Sequence, residues 1–287
     1  VYNTLRRVFF MNGILIVNKS EGFTSRDVVN KLSKIFNTKK IGHTGTLDPI
    51  AKGVLVVVIG KYTKLCEDLT QTYKEYIATF KLGILTDTLD ITGKILDEKD
   101  VTVTEEEIRN VIASYKCVYD QEVPIYSSVK INGRKLYEYA RNGENVVLPK
   151  RKVDIKNIEV IDINKDIVKI KCLVSKGTYI RSLIRDIGSS LNTFATMTDL
   201  IRIKQGIFDI RDSYTLEDIE NGNYKLIDIE DVMDICVIDD NTYLKNVTNG
   251  VKLKLDIENK YILFKHEGNN IALYKKDNDY FRMYIHF

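Results

Sequence analysis

The stretch from Gly42 to Ile59 joins two features that are hard to place anywhere but at the centre of a fold. A glycine-rich loop carrying one carboxylate, Gly42-His43-Thr44-Gly45-Thr46-Leu47-Asp48-Pro49-Ile50-Ala51-Lys52-Gly53, runs directly into Val54-Leu55-Val56-Val57-Val58-Ile59. A run so rich in β-branched residues suits a central strand. The glycines at 42, 45 and 53 allow close backbone approach or positive φ, and Pro49 biases Asp48 away from the right-handed helical region. Asp48 then reads as a positioned carboxylate. On spacing alone it reads equally well as a turn former, since Asp before Pro is an ordinary turn signal.

At 287 residues the chain can build one large core plus a small second domain. With 44% hydrophobic and 29% charged residues it has the composition of a soluble globular protein, and its net charge is only +3. Any binding to nucleic acid must therefore come from a local patch. One such patch is visible. Between Val129 and Lys156 the basic residues Lys130, Arg134, Lys135, Arg141, Lys150, Arg151, Lys152 and Lys156 face only Glu138, Glu144 and Asp154, a net of +5 that exceeds the charge of the whole chain.

Cysteines 66, 117, 172 and 236 form no C-x-x-C pair, and the only histidines are His43, His266 and His286. Nothing has metal-ligand spacing, and scattered thiols suit a reducing cytoplasm. Arg6-Arg7 followed by Val8-Phe9-Phe10-Met11 imitates a secretory signal, but Asn12-Gly13 interrupts the apolar run and no small-x-small cleavage site follows. Residues 1–11 are read as an extension, with Met11 a candidate initiator. No segment approaches the ~20 apolar residues of a membrane span.

Along the chain, Gly13 to Val17 reads as a buried strand. Thr24 or Ser25 can cap a helix whose apolar face is Val28, Val29, Leu32, Ile35 and Phe36. Tyr73 to Lys81 and Ile167 to Val174 read as strands, the latter by alternation. Thr104-Glu105-Glu106-Glu107 is a capping box opening a helix, Tyr179 to Leu191 is helical, and Asp199 to Phe208 is extended. The basic segment 129–156 carries few strand signals and reads as a loop. Ser213 to Asn221 is a short capped helix before the boundary Asn221-Gly222-Asn223, beyond which short strands suggest a small β-rich barrel. Parallel βαβ units are not evident. The fold class expected is α+β: a mixed, largely antiparallel sheet decorated by helices (12–222), followed by the β-rich domain 223–287.

The GHTGTLDPxAxGVL stretch resembles the signature of the TruB-type tRNA pseudouridine synthases, and four more stretches resemble that family's blocks in the same order. Asn18-Lys19-Ser20-Glu21-Gly22-Phe23-Thr24-Ser25 is similar to D-K-P-x-G-x-T-S, with Asn18 and Ser20 at the usual Asp and Pro. Tyr73-Lys74-Glu75-Tyr76, with Leu82-Gly83 and Thr86 to Gly93, resembles the strand bearing the active-site tyrosine. Gln121 to Lys130, continuing to Gly143, resembles Q-x-P-P-x-Y-S-A-x-K and the RNA-gripping loop after it, with Val123 at one proline position. Ser175 to Leu183 contains G-T-Y-I-R.

The resemblance implies a pseudouridine synthase fold with a C-terminal PUA-like module contacting the acceptor side of tRNA. It implies that Asp48 is the essential carboxylate and that Arg181 holds and tunes it. Tyr76 would stack the target base, Tyr179 would line the pocket, and Leu200 would fall at its apolar position. His43 would fill the gap left by a flipped base, with Lys19 beside it on the RNA side. Lys130, Arg134, Arg141, Lys150, Arg151 and Lys152 would belong to an RNA-gripping loop at about 124–152. For His43, a loop histidine bonded to backbone is an equal reading of the residues, and for the basic segment a solvated surface is the bland one.

The chemistry so implied breaks N1–C1′ of uridine, turns the base and joins C5 to C1′. No group is lost and no electrons are exchanged, so no metal, nucleotide or redox cofactor is required. The step does need a carboxylate that stays ionised beside RNA phosphates, which a neighbouring arginine favours. That carboxylate could attack the sugar, attack the base, or promote departure of uracil. A base in a structured arm must also be flipped, at a cost of a few kcal/mol.

A nucleotide-binding enzyme is disfavoured because Gly42 to Thr46 lacks the Lys-Ser/Thr of a P-loop and no G-x-G-x-x-G opens a helix. A noncatalytic RNA-binding protein or tRNA chaperone would use the same basic segment. The guide-RNA-dependent dyskerin-type relatives share the loop and G-T-Y-I-R blocks, but the absence of a long basic tail favours the stand-alone bacterial type. The expectation is a cytoplasmic monomer acting on uridine-55 in the tRNA T-arm, without guide RNA or membrane association.

Overall fold

A computed structural model describes residues 11–70 and 72–287. The expected N-terminal extension, apart from Met11, lies outside the described residues. In chain order the strands and helices are β1 (Gly13–Lys19), α1 (Ser25–Ile35), β2 (Ile41–His43), β3 (Lys52–Ile59), α2 (Cys66–Thr70), β4 (Lys74–Leu82), β5 (Ile84–Thr86), β6 (Ile95–Glu98) and α3 (Glu105–Ser114). They continue with β7 (Val118–Glu122), β8 (Lys130–Ile131), β9 (Arg134–Lys135), α4 (Leu136–Arg141), β10 (Lys150–Asn164), β11 (Ile167–Val174), α5 (Ile180–Ser190), β12 (Ala195–Gln205) and β13 (Phe208–Asp209). The last part holds α6 (Leu216–Glu220), β14 (Ile235–Asp239), α7 (Leu244–Thr248), β15 (Tyr261–His266), β16 (Asn269–Asp277) and β17 (Tyr280–His286).

The large sheet runs β1-β3-β12-β4-β11-β10-β7, with β2 on β3 and β13 on β12. Only β12 and β3 pair in parallel; every other pairing in it is antiparallel. Strand β3 is apolar at every position from Val54 to Ile59 because both of its faces are covered. Leu55, Val57 and Ile59 join the core under α1 and α5, while Val54, Val56 and Val58 join a second cluster that includes Ile229, Tyr261, Leu263, Leu273 and Ile285. Strand β4 has one covered face, so its burial alternates: Tyr76, Ala78, Phe80 and Leu82 point inward.

Helix starts follow local chemistry. Thr24, Thr104 and Thr215 each close a capping box with Asp27, Glu107 and Asp218, fixing α1, α3 and α6. Ser25, the alternative cap for α1, is buried and exchanges hydrogen bonds with the backbone of Leu47 instead.

Three expectations change. The basic segment contains a two-stranded hairpin and α4, and its last part is the start of the fifteen-residue strand β10, paired with β7 from Lys150 opposite Glu122 to Asp154 opposite Val118. Charge hid that strand, since lysines outnumber apolar residues where one face is solvated. The C-terminal unit is β-rich as expected, but its four strands stand in the open order β14-β15-β16-β17 rather than as a closed barrel, because residues 240–258 form α7 and irregular chain. Finally, Ile227 still pairs with Ile14 of β1, so the chain just past 223 remains part of the first unit's edge.

The second sheet is pinned to α2 by one carboxylate. Asp68 accepts from Tyr261 Oη at 2.6 Å, Tyr284 Oη at 3.0 Å and Lys275 Nζ at 3.1 Å, with Lys260 Nζ at 3.3 Å. Burial alone would raise its titration, but the hydrogen bonds from Tyr261, Lys275 and Tyr284 outweigh it and hold it below the usual carboxylate value. Stabilisation of this sign is present above the unfolded value near 3.9 and is lost as pH falls through the lowered folded one. Asp68→Asn is expected to cost about 1.5–3 kcal/mol at neutral pH. In thermal melts the gap to wild type should narrow as the pH falls below about 3.9; a gap independent of pH would mean that the charge at Asp68 is not what docks the sheet.

Candidate active site

The loop from Thr44 to Ala51 is held from beneath at several points. Ser25 bonds both backbone groups of Leu47, Gly22 N–H donates to Pro49 O at 2.9 Å, and Ala51 N–H donates to Asp48 O at 3.0 Å, closing the turn. Arg202, 1% exposed, donates from Nε to Val54 O at 2.6 Å and from Nη2 to Gly45 O at 3.1 Å. Of the three glycines, Gly53 is required twice over: φ is +97°, and a Cβ would stand 2.3 Å from Arg202 O where β3 meets β12 in parallel. At Gly42 a Cβ would stand 2.9 Å from Cys66 Sγ. Gly45 meets neither condition, since its nearest neighbours would lie at ordinary contact distance.

This scaffold presents Asp48 to a cavity of about 240 Å³. Its walls come from six parts of the chain: Thr46, Leu47 and Asp48 from the loop, Tyr76 of β4, Leu200 of β12, Thr178 to Arg181 at the start of α5, Tyr126 to Ser128, and Tyr137 of α4. Pockets for drug-sized ligands span roughly 300–1,000 Å³, so this smaller space suits a single base.

Arg181 Nε lies 2.9 Å from Asp48 Oδ2. The arginine side chain is 6% exposed and that of Asp48 34%, so the carboxylate forms the accessible side of the pair. The rest of the guanidinium is held at both terminal nitrogens. Nη1 donates to Thr88 O at 2.8 Å, Nη2 donates to Tyr126 O at 3.1 Å, and Asp90 Oδ2 stands 3.7 Å from Nη1. Asp90, 5% exposed, is itself oriented by Thr88 Oγ1 at 2.8 Å and Thr92 N–H at 3.1 Å. A buried guanidinium tied at Nε, Nη1 and Nη2 to three different segments offers Asp48 a well-fixed partner.

The underside of the loop is cationic. Lys74, 6% exposed, donates to Thr70 O and Thr72 O at 2.9 Å, and its titration is pushed down to about 8 by burial, then by Arg202 and Lys176. His43, on β2, lies below its ordinary value through burial first and then the charges of Arg26 and Arg202, so its ring is neutral at physiological pH. Its Nδ1 is buried without a hydrogen-bond partner among the described residues.

Asp48, Tyr76, Tyr179, Arg181 and Leu200 therefore share one cavity. His43 does not line it; it sits at the other end of the loop. Lys19 corrects the reading from sequence. It is fully buried, its Nζ donates to Phe23 O at 2.6 Å, Ser20 O at 3.0 Å and Pro49 O at 3.3 Å, and burial lowers its titration to about 8 despite Asp48 nearby. It braces the Asp48 turn and offers no donor to an RNA.

The basic residues divide. Lys130 and Arg141 are exposed. Arg134 is committed to Glu144, with two hydrogen bonds at 2.9 and 3.0 Å, and stacks over Tyr139. Lys150, Arg151 and Lys152 lie on β10, not in a loop, and a strand's period of two separates Arg151 from its neighbours. Arg151 stands opposite Gln121, its Nη1 4.0 Å from where a Cβ on Gly177 would lie, and its charge reaches the phenol of Tyr179. Lys150 borders a different cleft, with Tyr115, Tyr119, Glu122 and Arg185.

Reading the sequence did not single out Asp90, Arg202 or Gln121. A signal existed for Arg202: in Leu200-Ile201-Arg202-Ile203, a strand alternation puts the arginine on the same inner face as Leu200. Among the described residues no group of three or more His, Cys, Asp or Glu side chains could hold a metal, and no helix is long and apolar enough to cross a membrane.

Comparison with known proteins gives a consistent set of matches. Residues 33–180 match the family model described as TruB family pseudouridylate synthase (N terminal domain), and residues 181–248 that of the tRNA pseudouridylate synthase B C-terminal domain. The protein named tRNA pseudouridine synthase B in Caldicellulosiruptor saccharolyticus is 39% identical over 290 residues, covering 94% of this chain and 100% of the relative. Its namesake in Clostridium tetani is 43% identical over 273 residues, 93% of each. Among solved structures, an H/ACA RNP bound to a substrate RNA containing 2′-deoxyuridine aligns with a TM-score of 0.68 at 23% identity, over 95% of this chain and 83% of that one; this likeness is one of fold. A Cbf5-Nop10-Gar1 complex aligns with a TM-score of 0.67 at 26% identity, over 93% and 78%.

Proposed function

Because this chain belongs to the TruB family of pseudouridylate synthases, we propose that it isomerises uridine-55 in the T-arm of tRNA to pseudouridine, as a monomer and without a guide RNA. The observation that carries this reading is the Asp48–Arg181 pair, 2.9 Å apart in the wall of a cavity sized for one base.

The residues divide the work. Asp48 brings the ionised carboxylate to the glycosidic bond, while Arg181 balances its charge beside RNA phosphates and fixes its position. Tyr76 and Leu200 form the apolar walls against which the flipped base stacks, an interaction worth about 1–3 kcal/mol per base on an aromatic ring. Cleavage of N1–C1′ frees the base to turn within the cavity, and formation of C5–C1′ is completed by loss of the C5 proton and protonation at N1. Tyr76 contributes the face of its ring to the base. His43, neutral and at the loop's far end, is suited to occupy the stack vacated by the base rather than to transfer protons.

The test is carbodiimide mapping of an unmodified tRNA transcript incubated with the purified protein alone. A single stop in the T-loop is expected. No stop with the protein alone, followed by a stop once guide RNA and partner proteins are supplied, would move the chain to the guide-dependent type whose complexes share its fold.

The placement of Arg151 yields a separate expectation. We assign it a backbone phosphate near the cavity mouth. Arg151→Ala should lower the slope of log affinity against log salt by about 0.7–0.9, the loss of one phosphate contact, while Lys150→Ala on the other face changes it less. Equal slopes for the two variants in filter-binding titrations would remove Arg151 from that role.

A further inference from the structure

Helix α5 carries Arg181, yet it lacks the local start signal that the other helices of similar length possess. Helices α1 and α3 open on threonine capping boxes, whereas the residue before α5 is Tyr179, in extended conformation (φ −101°, ψ 114°) and with no side-chain cap. The half of the box that accepts the N–H of the residue before the helix is supplied here by another strand. Gln121 on β7, 1% exposed, accepts the Tyr179 N–H through Oε1 at 2.8 Å and donates through Nε2 to Tyr179 O at 3.1 Å. The same Nε2 donates to Tyr119 Oη at 2.7 Å, and that phenol donates to Asp186 of α5 at 3.2 Å. The amide's orientation is set by this network, because the reverse would oppose two N–H groups at Tyr179. The next residue extends the clamp: Glu122 O accepts from Ser182 Oγ at 2.8 Å, and Glu122 Oε1 from Arg185 Nη1 at 3.0 Å.

We infer that Gln121 is a positioning residue for the reaction, acting as a remote cap that sets where α5 begins and thereby where Arg181 meets Asp48. The guanidinium end of Arg181 is located by Thr88 O, Tyr126 O and Asp90; its backbone end, two residues after Tyr179, is located by Gln121. Without the amide, the Tyr179 N–H loses its acceptor and its C=O keeps only the Leu183 N–H, so the entry to α5 is fixed less tightly. The inference rests on the assignment of Asp48 and Arg181 to pseudouridine formation.

A carboxyl side chain provides a selective test. Protonated, it has one acceptor and one donor, matching the N–H and C=O of Tyr179; ionised, it accepts only and repels the carbonyl. The charged and titratable groups around the site are Tyr119 and Glu122 on β7, Tyr115 packed on Tyr119, Arg151 opposite on β10, and Tyr179, Arg185 and Asp186 of the α5 region. Burial raises the titration of a carboxyl placed there. The measurement is the single-turnover rate of tritium release from tRNA bearing 5-tritiated uridine, with RNA affinity taken separately. At about pH 8, Gln121→Glu should react about 10- to 100-fold more slowly than wild type with affinity within about threefold. The ratio of its rate to that of wild type should rise at least about fivefold on going to about pH 6. A flat ratio, an unchanged rate, or a loss confined to affinity would overturn the inference. Should Gln121→Glu fail to melt cooperatively, Gln121→Met decides: a loss in rate at all pH values with affinity kept supports the positioning role, and a wild-type rate overturns it. Wild-type protein inactive on the same transcript would defeat the functional proposal itself, a result distinct from an active wild type and an indifferent Gln121 variant.

Discussion

Asp48→Ala is expected to reduce pseudouridine formation by at least about 10⁴-fold, the scale of removing a group that acts directly on the reacting atoms. The affinity for tRNA should stay within several-fold. Binding of an RNA arm is distributed over phosphate contacts, whereas Asp48 offers a single carboxylate, 34% exposed, in the wall of a small cavity. The change leaves the loop in place, because Lys19, Ser25, Gly22 and Arg202 hold its backbone rather than the Asp48 side chain. Quantitative carbodiimide mapping for turnover and filter binding for affinity check both halves. Residual turnover above about a hundredth of wild type would remove Asp48 from its role.

Arg181→Met should be damaging in two measurements at once. The arginine is buried with the Asp90 carboxylate, Thr88 O and Tyr126 O around its guanidinium, so its removal strands a buried charge and two carbonyls. Breaking such a buried pair costs about 3–5 kcal/mol, to be read from denaturant unfolding. Turnover should fall at least about 10³-fold through loss of the Asp48 partner and its fixed geometry. Arg181→Lys separates the two effects: it restores a charge near Asp90 and Asp48 but cannot span the carbonyls of Thr88 and Tyr126 together, so stability should recover more than activity. Activity recovering fully with lysine would mean that a point charge suffices and that the planar fork has no role.

The elements and residues that the chain announced by itself are those governed by neighbours a few positions away. Thr24, Thr104 and Thr215 mark helix starts through boxes closed within four residues, and Ile167 to Val174 shows its strand by alternation. The run from Val54 to Ile59 declared a strand covered on both sides. The motif blocks around Asp48, Tyr76 and Arg181 pointed to residues that do share one cavity. By the same logic, Lys150 to Lys152 misled: a solvated strand rich in lysine has no apolar period to display, and only its pairing with β7 reveals it.

What tertiary structure decided is the direction in which polar side chains turn. Lys19 ends β1 with the carbonyls of Ser20 and Phe23 close by in sequence, and nothing nearby says that Pro49, thirty residues on, brings the third carbonyl to its ammonium. Arg202 is a lone charge in a strand until Gly45 and Val54 supply its partners, and Gln121 becomes the cap of a helix that starts some sixty residues later. Capping and periodicity act over a turn of helix or a pair of strand positions, so the sequence carries them openly. A buried polar group is stable only if remote segments satisfy its hydrogen bonds, and that condition is met when the chain has folded around it.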